Sequence, residues 1–231
     1  MSVTSQLQPC NKDTVTIVIN SCIANIAIPL QRLLESIKRY NTEFRIISIV
    51  GGSENESIVS DSPLYTTVFT KHNSIDFTGL ITILETPIPQ LITPFIFYMH
   101  DTCEVGPTFF VKLSSLHISA DHTYGIWSPG MNIGIYSIDI LQKVRTTVLE
   151  QKNTIGDMES IQYFKALGVP REDIIFKTHN HHKVIRSKRT VSEPYDYYNT
   201  GVMRKVEYYE AFDLYKIKAN WRPKHIYELN P

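Results

Sequence analysis

FIFYMHDTCEVG, residues 95–106, passes from an apolar run straight into a histidine, an aspartate, a threonine, a cysteine and a glutamate. An unbroken apolar run of this length reads as a strand buried on both faces, which calls for helices on either side of its sheet. In open α/β sheets ligands bind beyond the carboxyl ends of the strands, where loops and helix N-termini converge. The polar cluster that ends this strand is therefore where a site is expected. A carboxylate there, with further donors within a few residues, suits Mg²⁺ or Mn²⁺, and such an ion clamps the phosphates of a nucleotide. Asp101 is the first such group and Glu104 the second, whereas Thr102 and Cys103 are poor ligands for a hard ion. The competing reading is a turn capped by Asp101 with His100 bonded locally.

Working outward, strands and helices take turns. TVTIVIN (14–20) is short and β-branched, EFRIISIVGG (43–52) reads as a second strand stopped by a glycine pair, and LYTTVFT as a third. Between them IPLQRLLESIKRY places Ile28, Leu33, Leu34 and Ile37 near helical spacing, with Pro29 in the first turn. SIDFTGLITILET (74–86) suits a helix with Asp76 near its positive end, and SIDILQKVRTTVLEQ another, after a loop and strand in YGIWSPGMNIGIYS. GDMESIQYFKALG predicts a helix with acids at its start and Gly168 at its end, and DIIFKTH a last strand. The expected fold is an α/β sheet, mixed but mostly parallel, flanked by helices. Its organisation is a flexible N-terminus over 1–12, one domain over 13–190, and an aromatic-rich tail over 191–231 packed on that domain.

Composition excludes several classes. Basic and acidic residues balance at 23 each, so the net field offers no reason to expect nucleic acid as a partner. No apolar stretch approaches the roughly 20 residues of a spanning helix, and MSVTSQLQPCNKD lacks the apolar core of a signal peptide. A cytoplasmic location with reduced thiols at Cys10, Cys22 and Cys103 is the expectation. There is no GxxxxGK[ST], and INSCIAN stands where GxGxxG would follow the first strand. GxSxG and HExxH are absent as well.

The order of these features resembles the nucleotide-diphospho-sugar transferase (GT-A) fold, as in small glycosyltransferases of bacteria and large DNA viruses. YMHDTCEV sits where that family carries Asp-x-Asp after its fourth strand, and NSIDFTGL resembles the segment that brings an aspartate toward the base or ribose. SPGMNIGIYS is similar to the loop and strand on the donor-sugar side, and TIGDMESIQYF to the acidic motif heading the next helix. The similarity spans residues 13–182.

The resemblance implies transfer of a sugar from a nucleotide sugar to a hydroxyl of a saccharide or glycoprotein. It implies a donor site that includes Asn20, Asp76, Asp101, Thr102, Asn132 and Lys183, with catalytic acids at Asp157 and Glu159. Asp157 is favoured by register as the base that an inverting transfer needs. The family's second metal aspartate falls at Cys103, so a Mn²⁺ or Mg²⁺ ion is expected on Asp101 with Glu104 or a distant histidine such as His179. In KTHNHHKVIRSKRT (177–190), Lys183, Arg186 or Lys188 is expected to neutralise the leaving diphosphate. Acids at a helix start that merely complement the dipole, and a solvated basic loop, are the plain readings of the same residues. Tyr208, Tyr209, Phe212 and Tyr215 read first as packing for the tail and second as a stacking platform for sugar rings. Two other functions compete. A nucleotidyltransferase of the same fold needs a glycine-rich basic loop that NSCIAN lacks; a non-catalytic saccharide- or protein-binding module would account for Cys103.

Overall fold

The computed structural model describes residues 6–125, 133–153, 182–185 and 203–219. The chain opens with a two-residue strand β1 (Gln8–Pro9), then lays down β2 (Val15–Cys22), helix α1 (Gln31–Tyr40), β3 (Ile46–Gly51), β4 (Ser57–Ser60) and β5 (Tyr65–Thr70). Helix α2 (Thr78–Glu85) leads to β6 (Phe95–His100), followed by β7 (Cys103–Val105), α3 (Phe109–Ser114), β8 (His117–Ile118) and β9 (Tyr124–Gly125). Strand β10 (Gly134–Ser137) feeds α4 (Ile138–Lys143) and α5 (Arg145–Glu150). The described C-terminal strands are β11 (His182–Ile185), β12 (Met203–Tyr209) and β13 (Leu214–Ala219).

Seven strands form the main sheet in the order β4-β5-β3-β2-β6-β10-β9. The pairings β5–β3, β3–β2 and β2–β6 are parallel, while β4–β5, β6–β10 and β10–β9 are antiparallel. The mixed α/β sheet flanked by helices is as expected, but "mostly parallel" is corrected: only the central strands run together. The apolar alternation that marks a strand carries no information on its direction, which follows from the connections. A second sheet, β11-β12-β13-β7, is antiparallel throughout and was not anticipated. Its contribution from residues 103–105 is too short for any periodicity to show.

Period-two alternation divides the sheet's side chains between two cores. Ile17 and Ile19 of β2, with Phe95, Phe97 and Met99 of β6, pack with Leu33 and Ile37 of α1 and Phe109 and Leu113 of α3. Val18, Ile47, Ile49, Ile96 and Tyr98 face Leu80, Ile81 and Leu84 of α2 on the other side. Helix α2 lies so close that a Cβ on Gly79 would sit 2.7 Å from the Tyr98 ring, which is why glycine stands there. The expected helix after Pro29 starts at Gln31, and Pro29 occupies a wider π-type turn over Ile26–Leu30. The helix expected over 137–151 is broken at Val144, in a β-branched stretch that resists regular helix, and the Arg145 guanidinium donates to the Leu84 carbonyl at the end of α2.

Gln8–Pro9, inside the segment read as a flexible N-terminus, pairs with β8, and Cys10 is buried in the core. The β12–β13 hairpin is joined to the body through Phe212, whose ring meets Phe97 at 5.2 Å, and through Asp213. The Asp213 carboxylate accepts from the Thr108 amide at 2.9 Å, the Thr108 hydroxyl at 2.8 Å and the Tyr208 hydroxyl at 3.1 Å. The expected helix over 156–168 and strand over 173–179 lie outside the described residues. Among the described residues no helix is long and apolar enough to cross a membrane.

Phe97 touches both Phe109 of α3 and Phe212 of the hairpin, each edge to face. Phe97→Ala is therefore expected to lower stability by about 3–5 kcal/mol in urea unfolding. Phe97→Leu should recover most of that loss.

Candidate functional site

The strand order runs β5-β3-β2 in one direction and then returns to place β6 on the other side of β2. A crevice lies at the carboxyl ends of β2 and β6, where the order reverses. Register brings Asn20 of β2 beside His100 of β6 at this end. The crevice holds a cavity of about 150 Å³. Asn20, Ser21 and Cys22 wall it from β2, Asn25 from the turn that follows, Asn73, Ile75 and Asp76 from the segment entering α2, and His100 and Asp101 from the end of β6.

Three bonds hold these walls together. The Asn20 side chain donates to the Ile75 carbonyl at 2.9 Å and accepts from the Gly79 amide at 2.8 Å. Tyr98 donates its hydroxyl to the Asp76 carbonyl at 2.7 Å. Ile75 itself has φ of 52°, the left-handed region that β-branched residues avoid. Its carbonyl and that of Asp76 are thus pinned by side chains from two different strands, and local strain is held where Asp76 enters the cavity.

Asp101 is 4% exposed and accepts from the Ser21 hydroxyl at 2.7 Å. Burial pushes its carboxyl up to about 6, against the pull of hydrogen bonds from Ser21 and Asn25 and of the Lys216 ammonium. At neutral pH it is ionised in a nearly dry site. His100 Nδ1 lies 3.3 Å from Asp76 Oδ1. Burial first, and then Lys216, hold the His100 imidazole well below its ordinary range, so it is neutral at pH 7. The Cys22 thiol is pushed up by burial and by the Asp101 charge. Behind this wall Lys216, 7% exposed, donates to the Thr102 hydroxyl at 2.6 Å, and the Ile217 amide bonds the Thr102 carbonyl at 2.9 Å.

The residues named from sequence fall into distinct places. Asp76 and Asp101, 25 positions apart in the chain, line one cavity with Asn20, whose amide is engaged by backbone on both sides. Thr102 is buried beneath Lys216 and is not part of the cavity wall. Glu104 meets Arg32 of α1 at 2.5 Å and does not line the cavity. Lys183 lies on β11. Asn132, Asp157, Glu159 and His179, with Arg186 and Lys188, lie outside the described residues. Sequence reading overlooked Lys216 and the pairing of His100 with Asp76. A lysine in LYKIKA at the same alternation as the buried Leu214 was the available signal for the first.

Among the described residues a divalent cation does not find a complete site. Cys103, standing where a second aspartate was expected, is 0% exposed, and burial pushes its thiol up to about 11, so no thiolate is available. Glu104 is committed to Arg32. Among the described residues no group of three or more His, Cys, Asp or Glu side chains is arranged to hold a metal ion.

No family model and no curated protein matches the sequence. Among solved structures, the chain is similar to the apo form of the glycosyltransferase GlyE of Streptococcus pneumoniae TIGR4, with TM-score 0.46 and 10% identity over 70% of this chain and 44% of that one. A second structure of GlyE gives TM-score 0.42 and 12% identity over 67% and 43%. The chain spans less than half the length of these solved proteins.

Two outcomes follow from this geometry. The Asp101 carboxyl rises from 3.8 to about 6 on folding, so the folded protein takes up a proton between those values and the cost of a buried carboxylate is absent below pH 4 and complete above pH 6. Asp101→Asn should match the wild type near pH 4 and exceed it by about 2–3 kcal/mol at pH 7, read from urea unfolding of chelator-treated protein. Ile75→Gly removes the left-handed penalty and should raise stability by about 1 kcal/mol at any pH.

Proposed function

We propose that this chain is a glycosyltransferase that moves a sugar from a nucleoside-diphosphate sugar to a hydroxyl of a saccharide or glycoprotein. The supporting observation is the crevice between β2 and β6, where the strand order reverses and where α/β sheets of this kind accept nucleotides. Asp76 and Asp101, which the sequence resemblance assigns to the donor nucleotide, both wall that crevice. In this reading the central strands are the nucleotide-binding half of a GT-A-type fold.

The chemistry balances simply. The acceptor oxygen forms a bond to the anomeric carbon, the bond from that carbon to the diphosphate breaks, and its electron pair leaves with the nucleoside diphosphate. The acceptor proton goes to a carboxylate, here Asp157, with Glu159 beside it in sequence. Asp101, ionised and fixed by Ser21, holds donor hydroxyls or ring N–H groups in place. Asn132 is assigned to the donor sugar and Lys183 to the departing diphosphate. Mn²⁺ or Mg²⁺ enters this reading only through Asp101 and residues outside the described set, His179 among them, and no step depends on it.

A second reading has one specific observation in its favour: Cys103 is a core residue where the resemblance calls for a ligand carboxylate. A saccharide- or protein-binding module that keeps the fold without catalysis would tolerate that. Calorimetric titration with UDP and GDP, with and without Mn²⁺, separates the two, because a binding module of this type ignores both nucleotides. A transferase should bind one of them and slowly hydrolyse at least one nucleotide sugar of a panel. Asp101→Asn should then abolish turnover, at least 100-fold by the size of a buried charged hydrogen bond lost from the site, about 3 kcal/mol. Retained turnover in that variant would place the donor elsewhere.

A further inference from the structure

The main sheet ends in an open edge. Strand β4 pairs with β5 on one side and, among the described residues, with no strand on the other. Residues 54–61 are all exposed, with Ile58 at 39% and Val59 at 46%. Register places Ile58 beside the buried Val68, on the face covered by α2, and Val59 beside Thr67 on the opposite face. Alternation along an antiparallel strand turns two of the four residues of β4 outward, so their N–H and C=O groups form a ladder without a partner strand. Both ends of the strand are tied down. Ser53 Oγ donates to the Asn55 carbonyl at 2.9 Å, and the Gln90 side-chain amide donates to Ser60 Oγ at 3.1 Å. The edge is therefore held extended before anything meets it, which lowers the ordering cost of adding a strand.

Charge decides what can extend the sheet. Glu54, Glu56 and Asp61 flank β4, and no lysine or arginine occurs between Arg45 and Lys71. Among the described residues none of the three carboxylates is in an ion pair. In the antiparallel register that pairs the whole of β4 with that of a second copy, Glu56 falls opposite Asp61 at each end, and like charges directly opposite destabilise a ladder. A strand that carries cations at those two places turns the same repulsion into attraction.

We propose that the outer edge of β4 is a docking strand for an extended basic segment of a partner protein. The segment adds one strand to the sheet. Its core of β-branched or apolar residues pairs with Ser57–Ser60 and covers Ile58 and Val59, while a lysine or arginine on either side of that core meets Glu56 and Asp61. Backbone hydrogen bonds supply the affinity of such an addition, and the flanking charges and alternate side chains its selectivity. Strands β5 and β3 separate β4 from β2, so a segment docked there leaves the crevice open. The inference stands apart from sugar transfer and does not depend on it.

The test titrates the full chain into a fluorescein-labelled hexapeptide, Lys-Thr-Val-Val-Thr-Lys with blocked ends, and reads anisotropy at low salt. Two further peptides serve as comparisons: one with glutamates in place of the lysines, and one with every core amide N-methylated, which keeps the charges and side chains but cannot donate to a ladder. The wild type should bind the lysine peptide about ten-fold more tightly than either comparison peptide, the size of two exposed ion pairs in one case and of lost ladder bonds in the other. The charge preference should shrink in about 0.5 M salt. Glu56→Lys combined with Asp61→Lys should invert it and favour the glutamate peptide; both positions are exposed, so the fold is expected to persist. Failure of the wild type to bind the lysine peptide means that the acids only guard the edge, and it overturns the proposal. Equal binding of the N-methylated peptide overturns it too, since the interaction is then charge alone, as does an unchanged preference in the doubly reversed variant. A concentration-dependent dimer in sedimentation that Val59→Pro abolishes would give the edge to a second copy of this chain instead. Failure of UDP and GDP to bind would leave this proposal standing.

Discussion

The parallel pairing of β2 with β6 is the constraint from which the rest of the site descends. Parallel neighbours leave the sheet at the same end, so the residues that follow β2 and β6 emerge together, between β3 and β5 on one side and β10 on the other, and leave a gap there. The gap so made cannot be closed by sheet hydrogen bonds. It must be lined by side chains, and those side chains are the residues just past each strand: Ser21 and Cys22 on one wall, His100 and Asp101 on the other. Because Asn20 stands opposite His100, its amide reaches across to the entry of α2 and brings Asp76 into the same space.

Placing an ionised carboxylate in that gap is expensive, and the fold meets the cost from far along the chain. Asp101 has the Ser21 hydroxyl and, by field, the ammonium of Lys216. Lys216 arrives on β13, bonded to Thr102 and secured by the aromatic contact of Phe212 with Phe97 and by the Asp213 carboxylate on Thr108. These contacts are more than a hundred residues apart in sequence, so the C-terminal hairpin is an electrostatic part of the crevice as well as a cover for the core. The same charge, together with burial, keeps His100 neutral. A carboxylate held above its usual range, a neutral imidazole and a strained Ile75 in one small cavity are features that cost stability, and such costs concentrate where a protein acts.

What could be read directly from the chain is confined to local patterns. The runs TVTIVIN, RIISIV, YTTVFT and FIFYMH are strands because an apolar, β-branched or aromatic run of that length has few other ways to satisfy its backbone while buried, and all of them form the centre of the sheet. The polar residues after them therefore had to gather at one end, which is why Asn20 and Asp101 were legible as one cluster, while Asp76 joined it only through the family resemblance of NSIDFTGL. Directions of the flanking strands, the break at Val144 and the second sheet were not, since they follow from connection lengths and from pairings between segments too short to carry a period. Only the tertiary structure decided that Glu104 turns to Arg32, that Cys103 enters the core, and that a lysine from residue 216 stands behind residue 101. Sequence spacing sets which atoms leave a strand together, whereas the charge that stabilises them is a matter of distance through space, and distance is settled by packing.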